Sequence, residues 1–252
     1  MQSLLICLVL VLAAAARPQS DEMQSILSDM IEEIDSNLSQ SPMLKFTEKL
    51  TDTKALPGER ITLHCEVTST PAATFHWTFN GVHIQGDKRL NIMEKLINAG
   101  KKTVESGIII SELTIPCASS ANSGIYKCVA YNGYDTIESQ AEVIVATGDA
   151  QCKKTHRVAP TITQWTDSRF EAEGNTATLV CRSNSPTKHS TIWEKEDGTM
   201  INTQGGKFEV QSNGDLIVHN IKWSDMGTYF CIASNKYGES RVETFLYPAS
   251  RL

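Results

Sequence analysis

One arrangement of cysteine, tryptophan and tyrosine occurs twice in this 252-residue chain. In each copy a tryptophan follows the first cysteine by 12 residues, and the second cysteine ends a Tyr-x-Cys motif. The corresponding residues are Cys65 and Cys181, Trp77 and Trp193, Tyr126 and Tyr229, and Cys128 and Cys231. A long pattern repeated in this way predicts two domains of the same fold, which agrees with the length of the chain.

The repeated pattern resembles that of an immunoglobulin domain. In that fold the two cysteines cross-link strands B and F, the tryptophan packs on the bridge, and the tyrosine closes the corner before strand F through its hydroxyl. The resemblance therefore implies disulfides between Cys65 and Cys128 and between Cys181 and Cys231. It also implies a core role for Trp77, Trp193, Tyr126 and Tyr229.

Alternating apolar residues around the cysteines, as in Ile61, Leu63 and Val67, predict strands independently of the motif. The turns at 56–59 and 172–175 resemble those of the intermediate, or I-set, subtype. We therefore predict an all-β chain with two I-set immunoglobulin β-sandwich domains in tandem, preceded by a signal peptide and a short amphipathic helix. The predicted boundaries are 1–16 for the signal peptide, 17–41 for the helical segment, 42–147 for domain 1, 148–158 for the linker, 159–248 for domain 2 and 249–252 for the tail.

The first residues have the features of a secretion signal. An apolar run of 13 residues, Leu4 to Ala16, ends in small residues that suit a signal peptidase, so we predict cleavage after Ala16. No later apolar stretch approaches the ~20 residues of a transmembrane helix, so we predict a secreted, extracellular protein that does not span a membrane. Cleavage removes Cys7 and leaves six cysteines, a number that suits disulfides in an oxidising compartment.

The segment before domain 1 has the spacing of an amphipathic helix. Its apolar positions are Met23, Ile26, Leu27, Met30, Ile31, Ile34 and Leu38. Such a helix docks on its own immunoglobulin domain, pairs with a second copy in a homodimer, or binds a groove on a partner; a weakly ordered acidic tail is a further alternative. The sequon Asn37-Leu38-Ser39 predicts glycosylation of Asn37 near the end of this helix.

Two cysteines remain outside the immunoglobulin pattern. Cys117 aligns with Asn220 at the corner after strand E, and Cys152 lies a few residues beyond strand G. Both positions fall at the same end of the sandwich, so we expect a Cys117–Cys152 disulfide that fixes the linker and the angle between the domains. An intermolecular bridge is the alternative for these two residues. Zinc binding is a weaker alternative for the cysteines as a group, because the chain has no CxxC motif.

Domain 1 is longer than domain 2 in one region. The distance from the tryptophan to the second cysteine is 13 residues greater, and the extra residues map to the segment between strands C′ and E, residues 87–104. Lys95, Lys101 and Lys102 cluster there. The segment is either a longer C′-D strand pair or solvated loop, or a recognition loop added to the common scaffold.

Charge and motifs argue against several classes of function. A net charge of −6 disfavours nucleic-acid binding, which needs clustered lysine and arginine side chains on the protein. The six histidines are scattered and form no known catalytic or metal-binding motif; they are His64, His76, His83, His156, His189 and His219. We therefore predict no enzymatic activity, no cofactor and no metal site.

A few residues outside the fold motifs are candidates for contacts. The basic segment 153–157 could bind sulfated glycans or form a solvated linker. Trp165 and Trp223 could lie in an interface or cover the edge of their own sandwich. Tyrosines also lie in the loops between strands F and G, at 131–134 and at 237.

The order of signal peptide, short acidic segment and two I-set domains resembles the nematode zwei-Ig family of secreted proteins. This resemblance implies a protein of nervous tissue that helps to maintain the positions of axons and neuronal cell bodies by binding cell-surface or matrix partners. The layout is also similar to that of an insect secreted two-Ig protein that binds insulin-like peptides and dampens their signalling. Neither resemblance identifies binding residues.

Overall fold

The computed structural model describes residues 39–152 and 157–250. The predicted signal peptide, most of the predicted helical segment including Asn37, and residues 153–156 of the basic linker lie outside these ranges. Domain 1 contains β1 (Met43–Glu48), β2 (Thr53–Ala55), β3 (Ile61–Thr70), β4 (Thr74–Phe79), β5 (Val82–Gly86), α1 (Ile92–Ile97), β6 (Ser106–Ile115), β7 (Gly124–Tyr131) and β8 (Thr136–Val145). Domain 2 contains β9 (Thr161–Ala172), β10 (Ala177–Leu179), β11 (Cys181–Asn184), β12 (Ser190–Lys195), β13 (Phe208–Val210), β14 (Leu216–Val218), β15 (Gly227–Asn235) and β16 (Gly238–Ala249).

Each domain is a β-sandwich, so the predicted fold class is confirmed. In domain 1 the sheet β2-β8-β7-β4-β5 packs on β1-β3-β6, and in domain 2 the sheet β10-β14-β13 packs on β9-β16-β15-β12. The strands follow the period-two pattern of the sequence: in β3, Leu63, Cys65 and Val67 are buried, whereas His64 and Glu66 between them point away from the core.

The motif residues form the centre of each core. Disulfides join Cys65 to Cys128 and Cys181 to Cys231, and all four cysteines are fully buried. The Trp77 indole N–H donates to Ser111 Oγ at 2.9 Å, and that of Trp193 donates to the Gly214 carbonyl at 2.9 Å. The Tyr126 and Tyr229 hydroxyls donate to the carbonyls of Asn122 and Asp225, at 3.0 and 2.8 Å. Each polar end of these large side chains is therefore satisfied inside the core.

A third disulfide joins Cys117 to Cys152, with 5.8 Å between the Cα atoms. Cys117 follows the end of β6, and Cys152 follows β8 after a short irregular segment. The bridge therefore attaches the chain that leaves domain 1 to the end of a strand of the same domain.

The two sandwiches share one sheet. Strand β6, at the edge of its sheet in domain 1, pairs antiparallel with β9 of domain 2, so that β1-β3-β6-β9-β16-β15-β12 is continuous. A Cβ atom on Gly107 would lie 2.5 Å from the Ser168 carbonyl oxygen, so only glycine allows this approach of the two backbones. Backbone hydrogen bonds across this β6–β9 seam fix the arrangement of the domains together with the third disulfide.

The longer C′ to E segment of domain 1 contacts domain 2. Residues 92–97 form the helix α1, with Glu94 and Lys95 buried, so the prediction of a longer strand pair or solvated loop is wrong, while the alternative of a recognition loop stays a prediction. The Asn98 side-chain amide exchanges hydrogen bonds of 2.7 and 2.8 Å with the backbone of Thr176. The Glu94 carboxylate accepts a hydrogen bond of 2.7 Å from the Thr178 N–H. We call these contacts of α1 with domain 2 the interdomain clamp.

Buried charges complete the clamp. The Arg169 guanidinium, 1% exposed, lies between the carboxylates of Glu94 and Glu171 and contacts both. Glu171 also accepts hydrogen bonds from the Val104 and Glu105 N–H groups of domain 1, at 2.9 and 3.1 Å. Lys95 Nζ lies 3.5 Å from Glu105 Oε2 in the same buried region. Such groups are stable in a core only when paired and hydrogen-bonded, so the clamp depends on both domains.

Candidate recognition surface

The shared sheet presents one outer face that both domains build. In β6, residues that point into the core alternate with residues that point outward, and Ile108 is one of the outward residues. Ile108 pairs with Ser168 of β9, so the outer face continues from β6 into β9. In β16, Leu246 lies in the core of domain 2, so Phe245 and Tyr247 point outward. We call this surface the recognition face. Because its strands are hydrogen-bonded across the seam, its two halves are held in a fixed relation.

The half of the recognition face near domain 1 is acidic. Its carboxylates are those of Glu48, Glu66, Glu112, Asp167 and Glu243. Among them lies His64, whose Nδ1–H donates to Glu112 Oε1 at 3.2 Å. This hydrogen bond, and the negative charges nearby, raise the pKa of His64, while its burial acts in the opposite direction. Burial, followed by the charges of Glu66 and Glu243, raises the pKa of Asp167 at the seam.

The half near domain 2 is aromatic. Trp223 is 53% exposed and its ring lies edge-on to that of Tyr247, with 5.8 Å between centroids. Phe170 also packs against Tyr247, at 5.7 Å between centroids. Phe245, two residues before Tyr247 on the same face of β16, is also exposed. A cluster of exposed aromatic rings is typical of a protein-binding surface, because such residues dominate the energy of interfaces.

Comparison with known proteins gives the family. The immunoglobulin I-set domain family matches residues 44–145, and a further immunoglobulin domain family matches residues 159–235. The Zwei Ig domain proteins zig-3 and zig-4 of Caenorhabditis elegans are each 48% identical to this chain over 98% of its length, and the matches cover 98% and 96% of those proteins. The chain belongs to the zwei Ig family. Zwei Ig domain protein zig-2 of the same organism is 38% identical over 84% of the chain.

The fold of this zwei Ig chain is also similar to a solved structure over both domains. The crystal structure of neural ectodermal development factor IMP-L2 aligns with a TM-score of 0.65 and 26% sequence identity, and covers 84% of this chain and 97% of that one. Within the part of the zwei Ig chain that the structure describes, no helix has the length and apolar character needed to cross a bilayer.

The structure distinguishes between the aromatic candidates of the sequence. Trp165 is half-buried and packs on the core of domain 2, so it covers its own sandwich. Trp223 is exposed and belongs to the recognition face. Tyr134 and Tyr237 are partly exposed in the two loops between strands F and G, away from that face.

Sequence reasoning missed the seam, the clamp and the position of His64. The side chains of these features come from strands that are distant in the sequence and become neighbours only across the sheet. One signal was present: His64 and Glu66 occupy alternate positions in β3, between core residues, and polar residues in such positions indicate an exposed face.

A concave surface also lies between the domains. It is an open cleft of about 640 Å³, lined by residues 87 and 89–93 of domain 1 and by residues 182, 209–213 and 215 of domain 2. Its lining is part polar and part apolar, and the apolar part includes Leu90, Ile92, Val210 and the exposed side chain of Met93. None of the residues that line this cleft is aromatic, whereas the recognition face carries a cluster of exposed aromatic rings.

Proposed function

We propose that this zwei Ig protein is a secreted, non-enzymatic recognition protein that helps to maintain axon and neuron position by binding a protein partner at the cell surface or in the extracellular matrix. The family resemblance supports the biological role, and the recognition face supports the mode of action. The observation that carries the proposal is the exposed cluster of Trp223, Phe170, Phe245 and Tyr247 on a face that both domains share.

The rigidity of the face supports tight recognition. A partner that contacts both domains would normally have to fix their relative positions, and that ordering would reduce the binding free energy. Here the seam and the interdomain clamp already fix them. The partner's apolar contacts would meet the aromatic half, and basic side chains would meet the acidic half.

The test is binding of the purified protein to the surface of neuronal cells from the same source. We expect Tyr247→Ala to weaken binding by about tenfold or more, because Tyr247 lies at the centre of the aromatic cluster. The matched control is Tyr237→Ala, since both tyrosines lie in domain 2 and are each 36% exposed. Equal loss in the two variants, or none in either, would exclude the recognition face as the binding surface.

A second candidate is capture of insulin-like peptides, which the resemblance to an insect two-Ig protein implies. The structural feature that favours it is the recognition face itself, because strands of both domains form it. Direct titration with a panel of insulin-like peptides separates the two proposals. Nanomolar binding that Tyr247→Ala weakens would make sequestration the function, and its absence in a folded sample would leave the cell-surface or matrix partner. Sedimentation of the same sample measures whether a homodimer forms.

A further inference from the structure

Three side chains on the acidic half of the recognition face converge from two strands. His64 and Glu66 lie on the same face of β3, and Glu48 reaches them from β1, where it pairs with Glu66. His64 Nε2 lies 3.7 Å from Glu48 Oε2 and 3.8 Å from Glu66 Oε2. One ligand atom of each residue lies within 4.8 Å of those of the other two.

Neighbouring groups hold two of these side chains in place. The hydrogen bond from His64 Nδ1–H to Glu112 directs Nε2 toward the two carboxylates. The Thr47 hydroxyl donates to Glu66 Oε1 at 2.7 Å, which leaves Oε2 facing His64. Proteins orient metal-binding histidines in the same way, with a carboxylate on the ring nitrogen that does not bind the metal.

The histidine nitrogen that faces the carboxylates has no hydrogen-bond partner. His64 Nε2 is buried from solvent, although the side chain as a whole is 28% exposed. Bonds of about 2.0–2.2 Å to a tetrahedral Zn²⁺ place neighbouring ligand atoms roughly 3.3 Å apart, so each distance from His64 Nε2 to a carboxylate oxygen would have to shorten by about half an ångström. A divalent cation would also offset the negative charge of the carboxylates.

We propose that Glu48, His64 and Glu66 form a zinc site on the recognition face. Three protein ligands leave the fourth tetrahedral position for water or for a side chain of a partner. The sequence contains no zinc motif for this site, because the ligands come together only across the sheet. The proposal does not depend on the identity of the partner.

The test is calorimetric titration of the EDTA-treated, dialysed full chain with ZnCl₂. We expect saturable binding of one zinc ion per chain. His64→Gln and Glu66→Gln should each weaken it by about tenfold or more, and Glu112→Gln, which changes only the orientation of His64, should weaken it less. Substitution with Co²⁺ should give the visible absorption of a tetrahedral site, which His64→Gln abolishes.

The control is His83→Gln. His83 and His76 lie close together, with 6.2 Å between ring centroids, and could bind zinc at a different place. Unchanged zinc affinity in that variant supports the proposed site, and its loss there assigns the zinc to His76 and His83. Absence of saturable binding by the wild type, or full affinity in His64→Gln, also overturns the proposal. Glu66→Gln replaces His64→Gln if thermal unfolding shows that the latter is not folded.

Discussion

At the scale of single residues, the most demanding position is Arg169. Its guanidinium is almost fully buried and is surrounded by carboxylates from both domains. Removing one member of a buried ion pair leaves its partners charged and unpaired in a medium of low polarity. The resulting loss in the free energy of unfolding is larger than the net contribution of the intact pair. The stability of the interdomain clamp therefore depends on this side chain.

We expect Arg169→Met to lower the free energy of unfolding by about 3–5 kcal/mol, measured by urea denaturation. The control is Arg89→Met, because the Arg89 pair with Asp87 is on the surface, with 84% of the arginine side chain exposed. The control should lose less than about 1 kcal/mol. Similar losses in the two variants would mean that the Glu94 and Glu171 carboxylates are hydrated rather than buried.

Glu94 makes the clamp sensitive to pH. The pKa of Glu94 is raised to about 7, and burial is the largest cause. The positive charge of Arg169 lowers the pKa, whereas the negative charges of Glu105 and Glu171 raise it further. The folded state then keeps a proton that the unfolded chain releases at a lower pH. The contribution of Glu94 to stability is therefore largest in acid and decreases as the pH rises through about 7.

Glu94→Gln removes this titration and tests it. The free energy of unfolding of the wild type, minus that of Glu94→Gln, should decrease between about pH 5 and about pH 8. Both values come from urea denaturation at each pH. The control for the substitution itself is Glu142→Gln, at an exposed position of β8 and measured at the same pH values. A Glu94→Gln difference that stays constant between these pH values would show that Arg169 holds the carboxylate ionised throughout.

At the scale of elements, the seam depends on a single small residue. We expect Gly107→Val to separate β6 from β9, because its side chain would overlap the Ser168 carbonyl. Hydrogen exchange of the β6 and β9 amides should become faster, while β7 and β8 keep their protection. Gly205→Val is the matched control, because a Cβ atom there meets no atom within 4 Å. Unchanged exchange in Gly107→Val would contradict the pairing of the two strands.

The elements also show how far the sequence could predict this structure. The strands and cores follow from the motif and from alternation, because each depends on contacts within one domain. Helix α1 does not, since its pattern is inverted: Met93 is 54% exposed and the neighbouring Glu94 and Lys95 are buried. Glu94 is stabilised by Arg169 and Thr178 of the other domain, and no local pattern contains that information.

At the scale of the whole molecule, the third disulfide and the seam restrict the same motion. A bridge that closes 35 residues contributes about 4 kcal/mol in the chain-entropy model. We expect a chain with both Cys117→Ser and Cys152→Ser to lose about that much stability and yet to give an unchanged X-ray scattering curve, because the seam and clamp remain. A more extended particle would mean that the disulfide alone fixes the angle. Peptide mapping of the unreduced wild type checks that Cys117 pairs with Cys152.

The shared sheet has a consequence for how such a protein can change over generations. Immunoglobulin domains are usually units that gene rearrangement can copy, delete or move one at a time. Domain 1 alone would expose the unpaired backbone of β6 beside Ile108 and Ile110, an edge that promotes aggregation. Domain 2 alone would keep Arg169 and Glu171 without their partners in domain 1, which are Glu94 of α1 and the N–H groups of Val104 and Glu105. In this protein the two domains can therefore be copied or moved only as a pair. A rearrangement that separated them would also have to supply new residues to cover the β6 edge of domain 1 and to pair with the buried charges of domain 2.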